Sequence, residues 1–196
     1  LSLHDALPIY KGMKENDVHA KLEAIDSLAT FADEMMDCIE NDEEMDYLDE
    51  VVIEKRPDGM TGKIRDIANL SLPHQLLGHI AKQMLDPLFQ ARITPWQHAS
   101  MPGRGQTMLK NQIGKKLRSN GLDIKVFVKT DIYHAYGTLK YKDCIRIIKK
   151  EIPSCKTIIR LLEYLERYAP GGHLIIGGYL DAWLFNFAMS YAIRHV

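Results

Sequence analysis

Apolar positions recur at helical spacing over residues 16–40, where Leu22, Ile25, Leu28, Phe31 and Met35 share one face and Asn16 stands where an N-cap belongs. The period then changes. Val51, Val52 and Ile53 open a short strand over 51–55, Arg56-Pro57-Asp58-Gly59 is turn chemistry, and residues 63–67 alternate as a returning strand. Together they predict a basic β-hairpin. Helical spacing resumes over 72–90, with Leu76, Leu77, Ile80, Met84, Leu85 and Leu88 on the buried side. Pro95 and Pro102-Gly103-Arg104-Gly105 mark loops before a helix over 106–118. The stretch 123–132 is the clearest strand: Ile124, Val126, Val128 and Thr130 face one side, and Lys125, Phe127, Lys129 and Asp131 the other. Helices are predicted over 141–151 and 154–168, with Ser154 placed to cap the second. Gly171-Gly172 and Gly177-Gly178 bracket a tight segment, and an apolar helix runs from there to the end. The order predicts an α+β fold in which 123–132 is the central strand of an antiparallel sheet with helices packed on it.

Charge divides the chain. Residues 1–54 carry 3 Lys/Arg against 16 Asp/Glu, a net of −13; residues 55–196 carry 22 against 10, a net of +12, and the two give the overall −1. The basic part suits a polyanion such as nucleic acid, although a solvated basic face accounts for the charge equally well. Ten of the acidic residues fall in 33–50, which reads as a solvated connector rather than a metal site. The three cysteines, Cys38, Cys144 and Cys155, are widely spaced and form no CxxC, so the expected compartment is a reducing cytoplasm. No basic stretch leads into an apolar run at the N-terminus, and residues 1–9 read instead like an in-frame sequencing adapter. Residues 172–193 are apolar over about one membrane-spanning length. Asp181, Asn186 and the glycine pairs favour a buried helix, and no membrane partner is expected. His74 and His79 lie on different helix faces and are not expected to share a metal.

Asp131 ends the clearest strand, a place from which a carboxylate can be held rigidly toward Mg²⁺. Strand-end aspartates also form turns and caps, so its context matters. Phe127-Val128-Lys129-Thr130-Asp131-Ile132-Tyr133-His134-Ala135-Tyr136 resembles the first catalytic motif of bacterial-type reverse transcriptases: an Asp-Ile at a strand end, an aromatic five residues on, then a turn into a helix. The resemblance implies that Asp131 ligates the catalytic metals with help from the Ile132 carbonyl, and that Tyr136 is the steric gate against a ribose 2′-OH. Lys63-Ile64-Arg65-Asp66-Ile67 is similar to the fingers motif of that family, in which two cations grip the triphosphate of the incoming nucleotide. Alone, Lys-x-Arg is unspecific. Leu85-Asp86-Pro87-Leu88-Phe89 followed by Gly103-Arg104-Gly105 resembles the next block, whose basic loop meets the template–primer backbone through Arg104 and Gly105.

The stretch from His173 to Asn186 resembles a motif Gly-x-Pro-Ile-Gly-x-x-x-Ser-Gln-x-x-x-Asn. Ile176, Gly177 and Asn186 match; His173 replaces the first Gly, Ile175 the Pro, Asp181 the Ser and Ala182 the Gln. The resemblance implies that Gly177 lies beside the template–primer and Ala182 beside the nucleotide. Losing the Gln puts nucleotide positioning in question. The four blocks, in order, cover about residues 51–196. They imply right-hand polymerase fingers over 51–122 and a partial palm over 123–196, after an acidic helical segment over 10–50. The expected activity of the complete protein is RNA-directed DNA synthesis with Mg²⁺, an RNA template, a DNA primer and deoxynucleoside triphosphates. The Tyr-x-Asp-Asp hairpin that completes the family's site does not occur in these residues, so the fragment itself is expected to be inactive. The alternative is a non-catalytic nucleic-acid-binding module.

Overall fold

The structure, a computed structural model, describes residues 18–44, 48, 51–57, 59, 62–120, 126, 128–132 and 134–194. Its order is α1 (Val18–Asn41), β1 (Val52–Pro57), β2 (Ile64–Asn69), α2 (Leu72–Arg92), α3 (Gln106–Asn120), α4 (Ala135–Thr138), α5 (Tyr141–Glu151), α6 (Lys156–Tyr168), a 3₁₀ turn (Pro170–Gly172) and α7 (Tyr179–Ile193). The described residues are therefore mixed α+β, with seven α-helices and a two-stranded antiparallel sheet among them.

The core is helical. α2 packs on α7 and α6, α5 packs on α6 and α7, and α1 lies across α6 and α2. Leu76, Leu77, Leu85 and Phe89 of α2 meet Leu161 and Leu162 of α6 and Leu184 and Phe187 of α7, all buried. Three rings meet at the centre, Phe89 stacking on Trp183 at 5.7 Å and lying tilted against Phe187 at 5.6 Å. A polar clasp ties the far ends of three helices: the Arg92 Nε donates to Glu151 at 3.0 Å, and the Tyr191 hydroxyl donates to the same carboxylate. The Tyr191 and Arg92 donors hold Glu151 below the usual carboxylate range, while burial and that carboxylate push Tyr191 up to about 12.

The hairpin forms where the sequence placed it, in the register Val52↔Asn69 to Pro57↔Ile64. β1 runs through Pro57, so the turn falls later than the Arg56 start expected. Val51, Ala68 and Ile175 make a small buried cluster that seats the hairpin on the body.

Several expectations are corrected. Residues 126 and 128–132 carry no strand, and the only strands among the described residues are β1 and β2. Val126 and Val128 are 76% and 75% exposed. Alternation marks which side chains share a face, but a strand also needs a neighbour for its backbone N–H and C=O groups, and the described residues provide none. Residues 123–125 and 127 lie outside the described set. Ser154 does not cap α6; the cap position is Cys155, with no side-chain hydrogen bond there. Met84 is exposed although its spacing put it with the buried residues of α2, because α2 buries its Leu77, Ala81 and Leu85 side instead. Asn16, residues 1–9, and the side chains of Leu22, Ile25 and Leu28 are outside the described residues; Met35 is fully buried.

Candidate nucleotide-binding pocket

Three walls enclose a pocket of about 470 Å³. The hairpin contributes Ile53, Lys63, Ile64, Arg65 and Asp66; the α4 turn contributes His134, Tyr136 and Gly137; the chain from Pro170 to Ile176 forms the floor. Arg65 faces Arg56 across the ladder, and Lys55 faces Asp66. Arg56 is engaged by its own strand: it pairs with Glu54 at 2.5 Å and, by hydrogen bond first and charge second, holds that carboxyl below its usual range.

The second wall begins at an αL residue, His134 (φ 46°, ψ 48°), which turns the chain into α4. Thr138 locks that turn, its backbone N–H and side-chain hydroxyl both donating to His134 O, at 2.9 and 2.6 Å. The turn aims Tyr136 at α7, where its ring stacks on Phe185 at 4.9 Å and 17°. Burial, with a smaller effect of the Asp181 charge, lifts the Tyr136 phenol, which therefore stays neutral across the physiological range.

Lys63, Arg65 and Tyr136, singled out from two separate motifs, thus line one pocket. The other candidates lie elsewhere. Asp131 and Ile132 are exposed in irregular chain and are not among its lining residues. Arg104 donates to the Thr94 and Gln97 carbonyls at 2.8 and 3.1 Å, and with Gly105 it lines a separate cleft beside His98, Tyr179 and Trp183. The Gly105 carbonyl accepts the first-turn N–H of Leu109 in α3. Gly177 has φ +111°, and a Cβ there would sit 2.7 Å from Ala68 O, so it lies against the hairpin backbone. Ala182 is half-buried on α7, its carbonyl accepting from Asn186 Nδ2 at 2.9 Å. Asn186 also donates to Ala99 O at 3.0 Å and accepts from Gln97 through its own carbonyl, which anchors the Arg104 loop to α7.

Asp181 is the residue whose part the sequence reading underrated, noting it as a departure from the motif and as a sign of a buried helix but giving it no role in the site. It is 2% exposed, accepts the Ile175 N–H at 2.9 Å on Oδ1, and is hydrogen-bonded to the Tyr141 phenol. Burial pushes it up to about 6, against the opposing effect of those hydrogen bonds. Burial and this carboxylate together raise Tyr141 well above the phenol range. The signal was present: one carboxylate in an apolar stretch, three residues past Gly178, where the first turn of a helix favours negative charge.

The described residues do not by themselves make up a two-metal site. Two-metal nucleotidyl transfer needs several carboxylates around ions about 4 Å apart. Among the described residues no group of three or more His, Cys, Asp or Glu side chains is placed to hold a metal. Among the described residues, too, no helix is long and apolar enough to cross a membrane, α7 included. No protein-family model matches the chain, and no curated protein matches it.

Proposed function

We propose that the chain is the fingers and part of the palm of an RNA-directed DNA polymerase, and that the pocket between the hairpin and α4 seats the incoming deoxynucleoside triphosphate. The observation that carries this reading is the meeting of Lys63 and Arg65 with Tyr136, an aromatic 71 residues further on, around a cavity large enough for a nucleotide. A triphosphate brings a charge near −4, and two cations on a rigid hairpin neutralise part of it without occupying metal positions. Lys63 would act as a point charge and Arg65 as a planar fork of donors. Tyr136, braced by Phe185, presents a fixed aromatic edge to the sugar, where a 2′-OH would collide. In this reading Asp131 and the Ile132 carbonyl would contribute to holding Mg²⁺, which would supply charge neutralisation at the phosphates. The reaction would be in-line attack of a primer 3′-OH on the α-phosphate, breaking the α–β phosphoanhydride bond and releasing pyrophosphate and the hydroxyl proton, on an RNA template, in a reducing cytoplasm.

A second reading, a nucleic-acid-binding module without catalysis, is favoured by the net +12 of residues 55–196, which suits a polyanion whether or not chemistry follows. Equilibrium binding separates the two. The wild type should bind dATP and release it to competing tripolyphosphate, but not bind deoxyadenosine. Lys63→Ala and Arg65→Ala should each weaken dATP by roughly ten- to a hundredfold, the range for losing a hydrogen bond to a charged group. Equal affinity for dATP in wild type and both variants refutes the pocket.

A further inference from the structure

The pocket floor is a strut of backbone running from His173 to Gly178, and three contacts hold it, two at its ends and one between. His173 bridges Lys140 in an antiparallel pair, and the Leu174 N–H donates to Leu139 O at 3.0 Å, which fixes one end to the chain leaving Tyr136. The Ala68 N–H donates to Ile176 O at 2.7 Å, which fixes the other end to β2. Between them the Ile175 N–H donates to Asp181 Oδ1 at 2.9 Å, the one contact of the three made by a side chain.

We propose that Asp181 is the positioning residue of this pocket: by gripping the Ile175 amide from α7 it sets the span between the Lys63–Arg65 wall and the Tyr136 wall. The inference rests on the reading of the pocket as a nucleotide site. Two glycines are shaped around the grip. A Cβ on Gly178 would lie 1.9 Å from Asp181 Oδ2, so only a glycine lets the carboxylate fold back over the helix start. A Cβ on Gly177 would strike Ala68 O, so only a glycine lets the strut rest on the hairpin. Behind the carboxylate stands the Tyr141 phenol, and Tyr136 and Cys144 are close enough to feel its charge. His74 and His79 of α2 face it across an adjoining cavity of about 210 Å³. The carboxylate thus touches α7, α5 and the strut at once, beneath the substrate and without contacting it.

The test compares Asp181→Asn, which keeps an oxygen acceptor, with Asp181→Leu, which keeps the volume and loses it. Amide exchange at Ile175 and dATP affinity are read on each. The expected result is Ile175 exchange accelerated by about thirtyfold and dATP weakened by about tenfold in the leucine variant, with the asparagine variant within threefold of wild type on both, as one buried hydrogen bond implies. A folded leucine variant with wild-type exchange at Ile175 overturns the proposal. If the leucine variant does not fold, the wild type decides alone: its Ile175 amide proton should shift as Asp181 ionises near pH 6, and an amide unmoved between pH 5 and 7 overturns the proposal. A wild type that does not bind dATP sinks the nucleotide reading, while the exchange data still judge the grip on the strut.

Discussion

Asp181 is a carboxylate buried to 2% exposure and pushed up to about 6, so its charge state bears directly on folding. Its folded pKa lies above the ordinary 3.8, so the folded protein binds this proton more readily than the unfolded chain. The associated stability is fully present below the ordinary value and is lost as pH rises through about 6. A shift of about two units corresponds to roughly 3 kcal/mol at most. Urea unfolding at pH 4 to 7 should show wild type losing that much relative to Asp181→Asn, in which nothing at this position titrates. Because Glu54 and Glu151 titrate in both proteins, their opposite contributions cancel in the difference. Parallel profiles would contradict the assignment. Asp131 carries a different expectation, tied to the polymerase reading. In an active complete protein, Asp131→Asn should lower primer extension by several orders of magnitude and leave template binding intact, since an amide keeps the shape but loses the charge that holds a hard cation. Undiminished synthesis would rule out a metal-ligand role.

At the scale of elements, the strut's contact with the hairpin is the feature most open to attack. Gly177→Ala places a Cβ 2.7 Å from Ala68 O at a φ of +111°, so two penalties coincide. Strain at such a φ costs about 1–3 kcal/mol, and the clash adds to it. The variant should lose at least about 2 kcal/mol in urea unfolding, together with exchange protection at Ala68. An alanine protein as stable as wild type would show that the strut is not wedged there. The helices were legible because a 3.6 period over 11 to 24 residues leaves few alternatives, as α2 and α5 illustrate. The hairpin was legible because Pro57 and Gly59 punctuate it. The stretch at 123–132 misled because a period of two reports a shared face, not whether another strand is there to pair with it; the exposure of Val126 and Val128 records that gap. In the site, Lys63, Arg65 and Tyr136 could be singled out from motif order. The grip of Asp181 on Ile175 could not, because it depends on a turn geometry that the letters Gly177-Gly178 permit but do not specify.

Across the described residues, the opposed charges of the two parts meet between α1 and α6 as well as within β1, where Arg56 pairs with Glu54. The acidic end of α1 docks on α6, with Arg167 pairing Asp42 at 2.6 Å and Arg160 donating to Glu40 O at 2.8 Å. These contacts are exposed and contribute little to stability individually. The nucleic-acid reading rests on the net +12 of residues 55–196 as a whole. Binding to a short RNA–DNA duplex should weaken steeply with salt, log K falling by about 0.9 or less for each phosphate neutralised. An affinity flat between 50 and 200 mM salt would contradict a polyanion partner.

The central claim, a nucleotide pocket walled by Lys63, Arg65 and Tyr136, is tested most directly by sugar discrimination at equilibrium. Affinities for dATP and ATP would be measured on wild type and on Tyr136→Ala, with thermal unfolding to establish that the variant is folded. The predicted result is a preference of about tenfold or more for dATP in wild type, equivalent to about 1.4 kcal/mol, falling to within threefold in the variant through a gain in ATP affinity. A wild type indifferent to the 2′-OH, or a folded alanine variant that keeps the full preference, would contradict it.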